Sequence, residues 1–198
     1  MKLKLTLIFA LSVFTTSLFA QKKDGPKKGQ LVGIHYNLSD FNSPAGIKDP
    51  TTGKGYTSMR DMNKGFSLAY WRGLTSKVDL SVKTNVVFRD YGAIYQGVLG
   101  KTEIVIELEP TVNIRPFTDA AKLVPFLTTG VGVGLYNDKF GGYIPAGGGI
   151  QLNFDNQMYI FVQAQYKFTL TKKVLGDNLF YSLGFAQKPL PEALGMTV

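Results

Sequence analysis

Three neighbouring side chains, those of His35, Ser39 and Asp40, are of the types that hydrolases and acyltransferases use as base, nucleophile and acid. Such a site needs the base within hydrogen-bond reach of the nucleophile, and a third group that orients the base. Nothing in the sequence fixes that geometry, and in an extended strand His35 shares a side with Gly33 and Asn37. We therefore predict that His35 forms hydrogen bonds inside the fold and that the chain has no catalytic residues.

Residue types that hold metal ions and cofactors are scarce in this chain. It has no cysteine and one histidine, so thiolate sites and multi-histidine sites are impossible. Asp49 and Asp61 supply carboxylate oxygens suited to Ca²⁺, but their spacing matches no EF-hand loop. Glycines at 130, 132 and 134 are followed by more strand-like sequence, whereas a dinucleotide-binding turn needs a helix directly after them. The sequence therefore predicts no metal and no cofactor.

The most strictly alternating segment, EIVIELEPTVNIR at residues 103–115, carries charges on one face only. Side chains of a strand alternate between faces, so Ile104, Ile106 and Leu108 lie opposite Glu107 and Glu109. Two structures fit: a strand on a soluble core, and a membrane strand with lipid on its apolar side and a barrel lumen on the other. Thirteen residues exceed a soluble strand of roughly five or six and suit a tilted spanning strand of about nine to eleven. We favour the membrane strand.

The same alternation recurs along the chain and predicts eight strands. They span residues 31–38, 64–72, 78–88, 103–115, 123–135, 144–154, 158–168 and 178–185. The connections after the first, third and seventh strands are long, that after the fifth is moderate, and those after the second, fourth and sixth are short. This asymmetry is typical of outer-membrane barrels. We predict an all-β fold, an eight-stranded antiparallel up-and-down transmembrane β-barrel, with both termini at the end of the short turns.

An outward apolar face would place the charged side chains of the strands inside the barrel. The interior of an eight-stranded barrel is only wide enough for side chains to fill it. We therefore predict a lumenal polar network that plugs the barrel and leaves no wide pore. Its members are three acids, three bases and two amides: Asp79, Glu107, Glu109, Lys83, Arg115, Lys167, Gln163 and Gln165.

The ends of the chain have a composition different from that of the strands. Residues 1–20 have two lysines, an apolar run and a final alanine, the layout of a cleaved signal peptide. Removal of Lys2 and Lys4 lowers the formal charge from +8 to +6. Residues 21–30 predict a flexible, solvated basic leader; they lack the aromatic and arginine side chains of a nucleic-acid site. The barrel domain is then 31–186, and residues 187–198 form a C-terminal tail.

The chain resembles the small OmpA-type or "porin family" outer-membrane β-barrel domain proteins of the Bacteroidetes type. The resemblance covers residues 31 to about 185 and depends on the segments VPFLTTGVGVGL, PAGGGIQLNF and YSLGF. Phe185, with Tyr181 and Leu183 at alternate positions, resembles the terminal-strand signal that barrel-insertion machinery reads, although thirteen residues follow it. The resemblance implies location in the outer membrane, contact with its lipid, and that machinery as a partner.

Three functions remain open from the sequence. The first is a structural or interaction protein of the outer membrane, with loops 39–63 and 89–101 facing outward to an extracellular or envelope protein partner, and with no nucleic acid. The second is an outer-membrane enzyme acting on lipid, in which His35 and Ser39 would take part. The third is a secreted lipocalin-like carrier of an apolar ligand, in which Ile106 and Leu108 would point inward and Glu107 and Glu109 outward.

Overall fold

The described part of the chain consists of antiparallel strands and their connections. A computed structural model describes residues 27–46, 48, 53–90, 102–136, 139–154, 157–171 and 176–189, without the side chains of 89, 90, 102 and 103. Nine strands occur in these ranges: β1 (Leu31–Asp40), β2 (Asn63–Gly73), β3 (Val78–Asp90), β4 (Thr102–Ile114), β5 (Leu123–Gly130), β6 (Gly132–Tyr136), β7 (Lys139–Phe154), β8 (Met158–Thr169) and β9 (Asn178–Gln187). The predicted signal peptide, most of the leader, residues 190–198 of the tail and loop residues 91–101 lie outside the described ranges.

The sheet closes on itself. Consecutive strands pair antiparallel, except that β5 and β6 both lie between β4 and β7. β1 pairs antiparallel with β2 on one edge and with β9 on the other, so that Ile34 lies between Leu68 and Phe185. Closure leaves no edge with unpaired backbone groups. The structure therefore confirms the predicted closed eight-stranded antiparallel up-and-down barrel.

Strands β5 and β6 are two halves of one barrel strand, and two prolines explain the interruption between them. The registers of β4 and of β7 continue unchanged from β5 into β6. These registers place Pro110 opposite Val131 and Pro145 opposite Gly130. Proline has no N–H, so each position lacks one hydrogen bond of the ladder. The Val131 N–H still donates to the Pro110 carbonyl at 3.2 Å, and the alternation of side chains continues across the gap.

The observed strands start and end within two residues of the predicted ones, except at the start of β7. The sequence predicts a moderate connection before residue 144, whereas β7 begins at Lys139 and pairs with β6 through Gly141 and Gly142. These glycines disguise the strand because they carry no side chain that could show alternation. Backbone hydrogen bonds to β6 extend it nevertheless.

The two faces of the barrel are reversed relative to a soluble protein. On β4, the exposed fractions of Ile104, Ile106 and Leu108 are 59%, 51% and 46%, while Glu107 and Glu109 are 3% and 0% exposed. The lipocalin-like alternative required the opposite orientation and is therefore wrong. A polar interior is compatible with a barrel this narrow only if its groups satisfy one another, since buried unpaired charges are costly.

Two interior glycines make room for large rings on the neighbouring strands. Gly132 pairs with Tyr143 and Gly184 pairs with His35. In both cases a Cβ atom on the glycine would overlap the ring of the partner residue. Gly132 and Gly184 therefore relieve crowding in the lumen.

Both ends of the barrel domain lie at the same end of the barrel, here called the turn end. The Gly73 N–H donates to the Lys28 carbonyl at 3.2 Å, and the Lys188 N–H donates to the Gln157 carbonyl at 3.0 Å. The short connections 74–77 and 115–122 are also at this end, and the connection 41–62 is at the opposite one, here called the loop end. Among the described residues, no helix has the length and hydropathy needed to cross a bilayer.

Candidate functional site

The eight residues predicted to form the polar network are all buried inside the barrel. Their exposed fractions range from 0% for Glu109 to 5% for Gln163. Five of them form two charged clusters at different heights, which lie on either side of an aromatic layer. The loop-end cluster contains Glu107, Glu109 and Lys167; the turn-end cluster contains Asp79 and Arg115.

The loop-end cluster is centred on the carboxylate of Glu107. Lys167 Nζ lies 2.6 Å from Glu107 Oε2 and 3.3 Å from Glu109 Oε2. The Tyr136 hydroxyl donates to Glu107 Oε1 at 2.6 Å, and Asn85 Nδ2 donates to Glu107 Oε2 at 3.0 Å. The Tyr143 hydroxyl lies 3.0 Å from both carboxylates. Four strands thus converge on one carboxylate pair.

The turn-end cluster is centred on Asp79, at the start of β3. Arg115 Nη2 donates to Asp79 Oδ1 at 3.0 Å, while Lys28 Nζ donates to Asp79 Oδ2 at 2.8 Å. Arg115 also binds Asp119, whose Oδ1 accepts from Gln151 Nε2 at 2.9 Å. The result is a ring of two acids and two bases across the turn end of the lumen.

At Lys28 the structure differs from the prediction of a solvated leader. Lys28 is 5% exposed, and its ammonium lies 5.6 Å and 5.5 Å from the ring centroids of Tyr159 and Phe161. Burial lowers the pKa of the Lys28 ammonium from its ordinary value, and the neighbouring Asp79 carboxylate opposes that shift. Composition suggested a solvated segment, but an ion pair and two aromatic faces compensate this one lysine for its lost hydration.

The other three predicted members of the polar network, Lys83, Gln163 and Gln165, have fewer contacts with the two clusters. Lys83 Nζ donates to the Gln163 side-chain oxygen at 2.5 Å. Neither polar atom of the Gln165 side-chain amide has a hydrogen-bond partner among the described residues. The structure therefore places Gln165 inside the barrel but joins it to neither cluster.

An aromatic layer separates the two clusters and contains the only histidine of the chain. Trp71 and Phe161 stack with 4.8 Å between ring centroids, and His35 lies 5.3 Å from Trp71. His35 is 2% exposed, and its Nδ1 lies 3.3 Å from the Ser182 hydroxyl oxygen. The histidine therefore contacts a serine other than the one expected from sequence proximity.

Asp40 has a structural role at the loop end. Its Oδ1 accepts hydrogen bonds from the backbone N–H groups of Asn42 and Ser43, both at 3.0 Å, and from the Thr57 hydroxyl at 2.7 Å. These bonds fix the start of the 41–62 connection. Asp49, a candidate Ca²⁺ ligand in the sequence, lies outside the described residues. Within the described ranges no group of three or more histidine, aspartate or glutamate side chains is placed to hold a metal ion.

The outer face is apolar and is bounded by charge along β2. Phe66, Leu68 and Tyr70 occupy successive outward positions with exposed fractions of 58%, 64% and 36%. Lys64 precedes them at the loop end and Arg72 follows them at the turn end, and both are exposed. Among the described strand side chains, these two are the charged ones that are exposed at outward positions.

Sequence periodicity missed several residues of the two clusters. Lys28 and Asp119 lie outside the strands, in the leader and in the connection 115–122, where alternation gives no signal. Tyr136 and Tyr143 are at the ends of predicted strands or beyond them. Extending the alternation past the predicted strand ends would assign both tyrosines to the inward face. That extension requires the true limits of β6 and β7, which the sequence does not show.

Solved structures with the same fold include two bacterial β-barrels. The first is Neisserial surface protein A, with 13% sequence identity and a TM-score of 0.53, covering 83% of this chain and 100% of that one. The second is the N-terminal β-barrel domain of Pseudomonas aeruginosa OprF, with 11% identity and a TM-score of 0.52, covering 82% of this chain and 98% of that domain. No protein-family model matches the chain. No curated protein matches it either. At these identities the likeness establishes the fold.

Proposed function

We propose that this chain is an integral outer-membrane β-barrel protein with a structural or interaction role. The observation that carries the proposal is the orientation of β4, where Leu108 is 46% exposed between the buried carboxylates of Glu107 and Glu109. In water this arrangement would expose a continuous apolar surface and bury charge, which is unfavourable on both counts. In a bilayer the apolar face contacts hydrocarbon, and the charged side chains avoid the hydrocarbon by facing the lumen, where they pair.

The dimensions of the apolar face support a bilayer as its surroundings. Lys64 and Arg72 are eight residues apart on the outward face of β2. At about 3.4 Å per residue they are separated by roughly 27 Å along the strand, and by roughly 20 Å along the barrel axis at a tilt of about 40°. This is close to the apolar band of about 25 Å in outer-membrane barrels.

The contents of the lumen support a plugged barrel rather than an open channel. The stacked rings of Trp71 and Phe161 lie between the two ion-paired clusters. The largest buried side chains, including Arg115, Lys83 and Lys167, also occupy the interior. Because an eight-stranded barrel is only wide enough for side chains, we propose that no continuous aqueous path crosses it.

We propose that the long connections at the loop end face the outside of the cell and bind an extracellular or envelope protein partner. One of the similar structures is named a surface protein, which agrees with this orientation. Phe185 in β9, at 42% exposure, is available on the outer face to the insertion machinery. The Bacteroidetes-type "porin family" resemblance and export by a cleaved signal peptide are parts of the same proposal.

A non-enzymatic role is supported by the surroundings of His35. Its ring is enclosed by Trp71, Phe161 and the backbone of Gly184, and it is 2% exposed. Its Nδ1 lies 3.3 Å from the Ser182 hydroxyl, and the Asp40 carboxylate accepts hydrogen bonds from the loop. A base in this position has no path to the acyl group of a lipid outside the barrel.

Membrane fractionation combined with gel mobility tests the proposal. We expect the protein in the outer-membrane fraction, resistant to carbonate and urea washing and released by detergent. We also expect its mobility to differ between unheated and boiled samples, because a closed barrel resists unfolding by the gel detergent at low temperature. Recovery as a protein that is soluble without detergent would overturn the proposal.

Tag insertion on intact cells tests the proposed orientation. A protease-cleavable epitope inserted after Gly53, in the 41–62 connection, should be cut by added protease. The matched insertion after Ala120, an exposed residue of the 115–122 connection, should be protected until the cells are permeabilised. The reverse pattern would contradict the orientation and leave the membrane location unaffected.

A further inference from the structure

Two adjoining grooves lie on the outer face of the barrel. The first has a volume of 580 Å³ and is lined by Ile34, Phe66, Leu68, Thr84 and Phe185, with Tyr36 and Leu183 at its border. The second has a volume of 370 Å³ and shares Tyr36 and Leu183 with the first. Tyr36 and Leu183 therefore form a ridge between the two grooves. We call the two grooves together the twin grooves.

The strand register explains why the second groove exists. Gly148 pairs with Ala164, and Ala164 pairs with Tyr181, in one row across β7, β8 and β9. Two adjacent outward positions thus lack a large side chain, while Tyr181 and Ile150 stand beside them. In the first groove the rings of Tyr36 and Phe66 contact edge to face, with 5.6 Å between their centroids, and form the wall nearest the loop end.

The strand residue Lys64 lies at the loop end of the twin grooves. Lys64 is the next outward residue after Phe66 on β2, about 7 Å away along the strand, and it pairs with Leu38, which lines the second groove. Its Nζ donates to the Arg60 carbonyl at 3.2 Å. An ammonium has three N–H groups, so two remain for an anion.

We propose that the twin grooves and Lys64 form a binding site for a lipid with at least two acyl chains and a phosphate group. The acyl chains occupy the grooves on either side of the Tyr36–Leu183 ridge, and the phosphate lies against Lys64. Arg60 lies at the same end of the barrel. This inference rests on the proposed function, since it requires the outer face to contact a bilayer and the loop end to face the outer leaflet.

Charge and shape together favour this occupant. Among the described strand side chains, Arg72 is the other charged residue exposed at an outward position, and it lies at the turn end. Lys64 therefore distinguishes the loop end of this part of the outer face. The groove volumes fall in the range of about 300 to 1,000 Å³ that is usual for ligand sites. A second copy of the chain is a less favourable occupant. It would either place the two Lys64 side chains near each other or bury the Lys64 ammonium against apolar side chains.

Native mass spectrometry of the detergent-solubilised protein tests the charge requirement. The probes are bis-phosphorylated lipid A and the same lipid after enzymatic dephosphorylation. Lys64→Gln should weaken binding of the phosphorylated lipid about fivefold, since a lysine near a lipid surface contributes about 1 kcal/mol. Arg72→Gln, with the same charge change on the same face of β2, should bind like the wild type. Equal affinities for the wild type and Lys64→Gln would overturn the proposal.

The same samples test whether the site binds a lipid rather than a free anion. The dephosphorylated lipid should bind the wild type and Lys64→Gln equally, because only the acyl chains are then recognised. Inorganic phosphate at millimolar concentration should not displace the phosphorylated lipid; displacement would show that free anion is bound and would contradict a lipid site. A protein dimer that excludes the lipid would also overturn the proposal.

A second pair of variants tests the groove itself. Thr84→Phe adds a ring to the first groove and should reduce lipid binding, whereas Val82→Phe, at the preceding outward position of β3, should not. Both changes keep the outer face apolar, so the barrel should fold, as verified by heat-modifiable mobility. If the wild type fails that mobility test, the proposed function is lost; if all variants fold and bind lipid equally, only the lipid site is lost.

Discussion

The ammonium of Lys167 lies 2.6 Å from Oε2 of Glu107, and the two side chains are 1% and 3% exposed. The two residues belong to β8 and β4, which are not neighbours in the sheet. Their ion pair therefore crosses the lumen and joins opposite walls of the barrel. Both charges are removed from water, so their stability depends on each other and on the surrounding hydroxyl and amide groups.

Replacement of Glu107 should strongly destabilise the barrel. Glu107→Ala removes the nearer carboxylate of Lys167 and an acceptor of Tyr136 and Asn85, so we expect a loss of about 3 to 5 kcal/mol. Glu107→Gln keeps an acceptor and should cost less. Urea unfolding in lipid vesicles measures both, with Asp61→Ala at an exposed loop position as the control. An unchanged midpoint for Glu107→Ala would contradict the role of this carboxylate.

A charge on the outer face should be costly only within the apolar band. Leu108→Arg, near the middle of β4, should lower the free energy of unfolding in vesicles by about 2 to 4 kcal/mol. Phe117→Arg is the control, because Phe117 is 54% exposed but lies in the connection after β4. Equal, small effects of the two substitutions would indicate that water surrounds Leu108 and would contradict insertion in a bilayer.

Lys28 should fasten the segment before β1 to the turn end of the barrel. Lys28→Ala removes its bond to Asp79, which keeps Arg115 as a partner, so the expected destabilisation is about 2 kcal/mol. Lys27→Ala changes an exposed neighbour and should have no effect. Unfolding midpoints and the rate of proteolysis before Leu31 report the difference. If the two variants behave alike, the ion pair of Lys28 does not hold the segment.

Gly184 should not tolerate a side chain. Gly184→Ala would place a methyl group against the His35 ring and push it toward Trp71, which should cost about 1 to 3 kcal/mol. Gly55→Ala adds a methyl group where no atom lies within 4 Å and is the control. Tryptophan fluorescence gives a local measurement, because Trp71 is the only tryptophan of the chain. An unaltered spectrum and midpoint would contradict the predicted displacement.

The purified protein should give no porin-sized conductance in planar bilayers. In the proposed plugged barrel the aromatic layer and the two charged clusters fill the lumen, because the interior of an eight-stranded barrel is only wide enough for side chains. Trp71→Ala opens space in that layer and is the variant in which leakage should first appear. Large, regular conductance steps from the wild type would contradict the plugged barrel.

The sequence determined the repeating geometry of this protein. Strict alternation in residues 103–115 assigned Ile106 and Leu108 to one face and Glu107 and Glu109 to the other, because side chains of a strand must alternate. Repetition of the pattern gave the number of strands and the antiparallel order. Their length and the asymmetry of the connections then favoured a barrel with lipid outside. These conclusions depend on local stereochemistry, and for that reason a sequence suffices.

Tertiary structure decided which groups meet. Lys28 joins Asp79, 51 residues further along the chain, because the fold brings the leader and the start of β3 to the same end of the lumen. His35 meets Ser182 rather than Ser39 because closure pairs β1 with β9. Gly148 and Ala164 form a groove because register places them side by side. Contacts between distant segments depend on register and closure, which alternation along one strand does not encode.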